Sequence, residues 1–226
     1  MLLIAIDTSG RNGSIALCRG DQKSFETLQA TPLEGGTYSA RLMPAIAELL
    51  SEHKLSKEQV DAFVEVSGPG SFTGLRVGIA TVKGLCEVLQ KPLVAVSMLE
   101  AVAVVRGPGN GRVAVALDAG RAEVYVGEFE IASSHASLVR EYIAKLDAFA
   151  AEAASSGLPI LSPDRQVVEH LTGAACSAQQ VESVRADEIG RFGLSKLLAG
   201  ELADVATLDA NYVRRSDAEI FSALKR

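Results

Sequence analysis

An α/β fold built as two similar lobes is what this sequence predicts, on three observations. Short apolar runs alternate with segments of helical period along most of the chain, the pattern of strands interleaved with helices. An apolar run that ends in an aspartate and a turn occurs twice, at Asp7 and again at Asp118. Between them stands Arg106-Gly107-Pro108-Gly109-Asn110-Gly111, a loop composition that divides the chain into 1–106 and 107–226.

Leu2–Ile6 is a strand-length apolar run closed by the turn-forming Asp7-Thr8-Ser9-Gly10-Arg11-Asn12-Gly13, and Ser14–Cys18 follows at once, so the pair reads as a β-hairpin with a polar tip. A further strand is expected at Phe25–Leu28. Apolar residues at Leu42, Ala45, Ile46, Leu49 and Leu50 give Tyr38–Glu52 helical spacing. Ala62–Val66 reads as a strand leading through Ser67–Gly74 into a helix that runs to Gln90. Leu93–Val96 is strand-like, and Ser97 with Glu100 makes a capping box for the next helix. Beyond the boundary, Val113–Leu117 and Glu123–Ile131 are strands around Asp118-Ala119-Gly120-Arg121. A helix at Lys145–Ser155, a strand at Pro159–Leu161 and a helix at Asp187–Leu202 follow, with Ala132–Ser137 left as small-residue loop or helix-end material.

Composition excludes several classes. Of 226 residues 48% are hydrophobic, enough to bury a sizeable core, and the net charge is −6. That balance argues against a surface that grips nucleic acid unaided, because Lys and Arg on phosphates supply most of such affinity. Cys18, Cys86 and Cys176 lie far apart in an odd total, which fits free thiols in a reducing compartment. The apolar start lacks a basic n-region, and the apolar stretch Pro92–Val105 contains Glu100 and is too short to span a bilayer. A cytoplasmic protein without membrane contact is expected.

Ser67-Gly68-Pro69-Gly70-Ser71-Phe72-Thr73-Gly74 invites a phosphate-loop reading, since amides at a helix N-terminus attract anions. It lacks the Gly-Lys-Ser/Thr of a Walker loop, and a nucleophile elbow around Ser71 would need glycine at Pro69 and Thr73. A tight turn, with Ser71 or Thr73 capping the helix, accounts for it. The helix itself is apolar or small over roughly 260° of its circumference, with Arg76, Lys83, Glu87 and Gln90 on one stripe. Gly74, Gly78 and Leu85 lie opposite, flanked by Thr81 and Leu89. So apolar a helix must be covered on more than one side, and glycines that cost about 0.5–1 kcal/mol each make sense where backbones meet.

Asp7 with Ser9 and Asp118 with Gly120 stand where two-lobed ATPases of the actin and sugar-kinase type aim hairpins at nucleotide phosphates, although Asp and Gly at a hairpin tip also simply make the turn. His53, His135 and His170 form no metal-ligand spacing, and no nucleophile–base set stands out. Neither catalytic nor metal-binding residues are expected.

Ile4-Ala5-Ile6-Asp7-Thr8-Ser9, Gly68-Pro69-Gly70-Ser71-Phe72-Thr73-Gly74-Leu75-Arg76-Val77-Gly78, Asp118-Ala119-Gly120-Arg121-Ala122-Glu123-Val124-Tyr125 and Tyr212-Val213-Arg214 together resemble the TsaB (YeaZ-type) family. The resemblance implies two actin-like, ribonuclease H-like lobes with mixed sheets and flanking helices. It implies a non-catalytic subunit that heterodimerises with TsaD, works with TsaE, and serves threonylcarbamoyl transfer to the adenosine beside the anticodon of ANN-reading tRNAs. tRNA would be met only through the complex, and the free protein would form a homodimer. In TsaD a His-x-x-x-His pair binds the metal; here Tyr38 and Leu42 stand instead, and relatives usually carry arginine where Gly120 stands. The partner face is expected at Tyr38, Arg41, Leu42, Ala45, Leu49, Gly74, Gly78, Thr81 and Leu85. No cofactor of its own is implied, with ATP or ADP allowed at the joint of the complex. The alternative is a small actin-like ATPase or kinase using Asp7, Ser9, Asp118 and Gly120.

Overall fold

The computed structural model describes residues 1–132 and 135–211, so Tyr212-Val213-Arg214 lies outside the described residues. The chain forms two compact units, one of Met1–Ala101 with Val184–Ala210 and the other of Val102–Ser183 with Asn211.

The first unit is a five-stranded sheet ordered β3-β2-β1-β4-β5, from β1 (Leu2–Asp7), β2 (Asn12–Gly20), β3 (Phe25–Glu34), β4 (Ala62–Gly68) and β5 (Leu93–Ser97). The β1–β2 and β2–β3 pairs are antiparallel, while β4 pairs parallel with both β1 and β5. Every residue of β1 is buried, because helices cover both faces. Leu2, Ile4 and Ile6 join a core with Leu42, Ala45, Ile46 and Leu49 of α1 (Tyr38–Glu52) and Val82 and Cys86 of α2 (Phe72–Leu89). The alternate residue Ala5 meets α6 (Ala186–Leu198) on the other face, where Gly190 lies against Ala5 and Cys18 and a Cβ on Gly193 would overlap Val64. The two glycines let α6 press on the sheet where any side chain would hold it off. α3 (Met98–Arg106) begins where the Ser97 hydroxyl accepts from the Glu100 amide at 3.4 Å.

The second unit repeats this ladder. Its sheet, ordered β10-β9-β6-β7-β8, comprises β6 (Asn110–Gly120), β7 (Glu123–Ala132), β8 (His135–Lys145), β9 (Ile160–Ser162) and β10 (Ala178–Gln180). The β6–β7–β8 pairs are antiparallel and β9 pairs parallel with β6 and β10, so β6 plays the part of β1. Phe149, Ala150 and Ala153 of α4 (Leu146–Ser156) and Val167 and Leu171 of α5 (Arg165–Gly173) fill its core.

Three sequence expectations are corrected. A single cut at 106/107 fails because α6 and the segment after it belong with the first unit. That segment is tied there by the Ala203 amide to the Leu93 carbonyl, 2.8 Å, and by the half-buried Val205 and Leu208, which pack against the core. The last helix stops at Leu198 rather than Leu202, with Gly200 at φ +78° just past its end. Residues 135–137 are strand, not loop or helix end.

Candidate functional site

The β1–β2 tip is closed by its own polar groups. Asp7 is buried, and its Oδ1 accepts from the Ser9 amide at 2.8 Å and the Ser9 hydroxyl at 2.6 Å. Burial pushes the Asp7 carboxyl up while the two Ser9 donors pull it back. The Ser9 carbonyl accepts from the Ser71 amide at 2.6 Å. The Tyr38 hydroxyl donates to the Gly10 carbonyl at 2.6 Å, and the Thr8 hydroxyl donates to the Gly74 carbonyl at 2.9 Å. A Cβ on Gly70 would overlap the Ser9 carbonyl, and one on Gly74 the Thr8 carbonyl. Gly70 and Gly74 are there for close approach, and Ser71 caps α2 by accepting from the Gly74 amide at 3.3 Å.

Glu65 adjoins this tip from β4. It has no exposed surface, and neither carboxyl oxygen has a hydrogen-bond partner among the described residues. Burial first, then the charge of Asp7, drives its carboxyl well above the usual range, with the neighbouring Thr8 hydroxyl acting weakly the other way.

At the β6–β7 tip Asp118 is exposed, its Oδ1 accepting from the Gly120 amide at 2.8 Å and its own amide donating to Asp164 Oδ2 at 2.8 Å. Burial raises the Asp164 carboxyl. Arg121 and Ala122 both sit at positive φ, +57° and +56°, completing a two-residue hairpin turn.

The α1–α2 face differs from the expected one. Tyr38, Leu42, Ala45 and Leu49 are core positions, and Gly74 and Gly78 face the sheet. Thr81 and Leu85 are half-buried, and of that expected set only Arg41 is exposed, its guanidinium 3.9 Å from Glu48. The side of α2 opposite its polar stripe is the side its own sheet covers. The stripe is partly covered too, because Lys83 Nζ donates to the carbonyls of Ala206 and Leu208 at 3.0 and 2.9 Å. Besides Thr73 and Glu87, what reaches solvent is a flank: Phe72, Arg76, Ala80, Gly84 and Val88, four residues apart, with Phe72 41% and Val88 77% exposed. Beside it α1 exposes Ala40, Met43, Pro44 and Ala47. Such a row is the ridge by which helices pack on helices. Its spacing of four was readable in the sequence; which flank lies outward was not.

Among the described residues no three His, Cys, Asp or Glu side chains group as metal ligands. His53 Nε2 lies 2.8 Å from Gln29 Oε1 and His170 Nε2 2.9 Å from Asp147. No helix among them is long and apolar enough to cross a membrane.

The duplicated ladder, a three-stranded antiparallel half continued by parallel strands and flanked by helices, defines an actin-like two-lobed fold. The activator of the 2-hydroxyisocaproyl-CoA dehydratase from Clostridium difficile shares that fold, at TM-score 0.51 over 90% of this chain and 99% of that one, with 9% identity showing the fold alone. The family described as TsaD, tRNA N6-adenosine threonylcarbamoyltransferase, matches residues 35–187. The tRNA threonylcarbamoyladenosine biosynthesis protein TsaB of Bacillus subtilis is 30% identical over 97% of this chain and 96% of its own length. The structure titled YeaZ from Pseudomonas aeruginosa has TM-score 0.75 and 28% identity, covering 93% of this chain and 99% of that one. The chain belongs to the TsaB (YeaZ-type) family, within the wider TsaD-like fold, and takes part in making the threonylcarbamoyladenosine of tRNA.

Proposed function

We propose that the chain is a non-catalytic partner subunit that docks on TsaD through the exposed flank of α1 and α2. The observation that carries this is the row Phe72, Arg76, Ala80, Gly84 and Val88 beside Met43 and Pro44, an apolar face with small residues at its centre. Because the TsaD family matches 35–187, which includes both helices, a TsaD partner would bring an equivalent pair, and two such pairs can meet about a pseudo-twofold axis. The same face would serve a homodimer when the chain is alone. Tyr38 and Leu42, set against the metal-binding histidines of TsaD by sequence, are packed in the core and lend support to a non-catalytic role.

At both tips the side chains are engaged in forming the turns, which favours a scaffold over an ATPase. TsaE joins the complex in this reading, ATP or ADP sits at the joint and not in this subunit alone, and tRNA in the cytoplasm is gripped by the partners, in keeping with a net charge of −6. The test is co-purification with TsaD of the same organism. Met43→Glu with Ala80→Glu should abolish the complex while thermal unfolding of the free protein stays unchanged; a complex that survives the pair overturns the proposal. Ala45 and Gly78 are unsuitable probes because both are buried.

A further inference from the structure

Glu65 pairs with Ile6 of β1 and Ala95 of β5 in the middle of the first sheet. Both its carboxyl oxygens are orphaned among the described residues and its side chain is wholly buried. An ionised carboxyl there would be stripped of water with neither donor nor counter-charge to offset the loss.

The groups around it point the same way. From β1 come Asp7, a like charge, and Thr8. The Thr8 hydroxyl has one proton, and that proton is committed to the Gly74 carbonyl at 2.9 Å. While that bond is kept, what Thr8 can offer Glu65 is a lone pair, an acceptor for a protonated acid; a carboxylate could draw the hydroxyl's proton only by breaking the bond to Gly74. On α2 the backbone of Gly78 lies so close that a Cβ there would overlap both Glu65 Oε1 and Thr8 Oγ1. The cations of α2 are engaged elsewhere: Arg76 stacks 3.8 Å over Phe72, and Lys83 holds the carbonyls of Ala206 and Leu208. On α1 the Tyr38 hydroxyl is held by Gly10. α6 packs the opposite face through Val64, with Asp187 paired to Arg185, Arg191 over Phe25, and Lys196 to Glu100 and Glu201.

We propose that Glu65 is a buried proton-binding site that latches α2 to the sheet. The neutral carboxyl donates to the Thr8 hydroxyl and completes a chain, Glu65 to Thr8 to Gly74, that pins the first turns of α2 to β4 and the β1 tip; loss of the proton releases them. An acid that holds its proton more tightly folded than unfolded gives stability that is complete below the ordinary glutamate range, near 4.5, and is lost as pH rises through its folded value. The seat of α2 therefore weakens as pH rises, by about tenfold in the opening equilibrium per pH unit where one proton is released. The latch stands whatever docks on α2.

Hydrogen exchange at the amides of 74–79, corrected for the intrinsic rate and followed across pH, tests it in wild type, Glu65→Gln and Asp7→Asn. Wild-type protection should fall with rising pH at close to that slope, whereas Glu65→Gln, in which only the neighbouring raised Asp7 is left to titrate, should lose most of that fall. Asp7→Asn removes the like charge and so lowers the folded value alone, and its fall should begin at the same pH but level off at lower pH, with a smaller total loss. Infrared spectroscopy supplies an independent reading: wild type at neutral pH should show a protonated-carboxyl band that fades at alkaline pH. An absent band overturns the latch even where Glu65→Gln fails to fold. So does an identical pH dependence in wild type and Glu65→Gln.

Discussion

Gly78 and Gly84 lie on the same helix, yet alanine should have opposite effects at the two. In an exposed helix interior alanine is better than glycine by about 1 kcal/mol. A Cβ on Gly84 meets nothing within 4 Å, so Gly84→Ala should gain most of that, about 0.5–1 kcal/mol. A Cβ on Gly78 lands on Glu65 Oε1 and Thr8 Oγ1, and neither can yield cheaply. Thr8 is tied to the Gly74 carbonyl, and Glu65 is wholly buried against the sheet. Overpacking of this kind typically costs about 1–3 kcal/mol, and a disturbed buried hydrogen bond adds about 1. Set against the gain in propensity, Gly78→Ala should lose about 1–3 kcal/mol. Urea unfolding read by circular dichroism gives both numbers, provided the slope is unchanged so that midpoints report stability. A Gly78→Ala variant as stable as wild type or more so would refute the close-approach reading of the glycine.

Two further changes probe the hairpin tips. Tyr38→Phe deletes the 2.6 Å bond to the Gly10 carbonyl and should cost about 1 kcal/mol in the same assay; no loss would mean that bond does not hold the tip. Ala122→Gly relieves a left-handed alanine at φ +56° and should stabilise by about 1 kcal/mol, and a neutral or negative result would contradict that conformation.

Much of the fold was legible because its signals are local. The five apolar positions that define α1, Leu42 to Leu50, are all buried, and the β1–β2 hairpin follows from one apolar run, one polar turn and another run. β8 escaped because it is an edge strand whose exposure does not alternate. α5 escaped because nine residues with only Val167 and Leu171 buried give a single turn of pattern. Most residues expected at a partner face are buried, and for a different reason. Periodicity tells which residues share a side of α2, but the side with Gly74 and Gly78 proved to be the one against its own sheet, since close approach is needed there first. Glu65 carried no local signal at all, because a lone acid in an apolar run looks like a residue pointing at solvent.

The passage of α6 back to the first sheet bears on how the chain is made. When the ribosome has released only 1–106, that sheet has one face unclothed, with Ala5, Cys18 and Val64 waiting for Gly190 and Gly193. The first unit to be translated is thus the last to be finished. Its completion depends on some eighty intervening residues, most of the second unit, having already emerged.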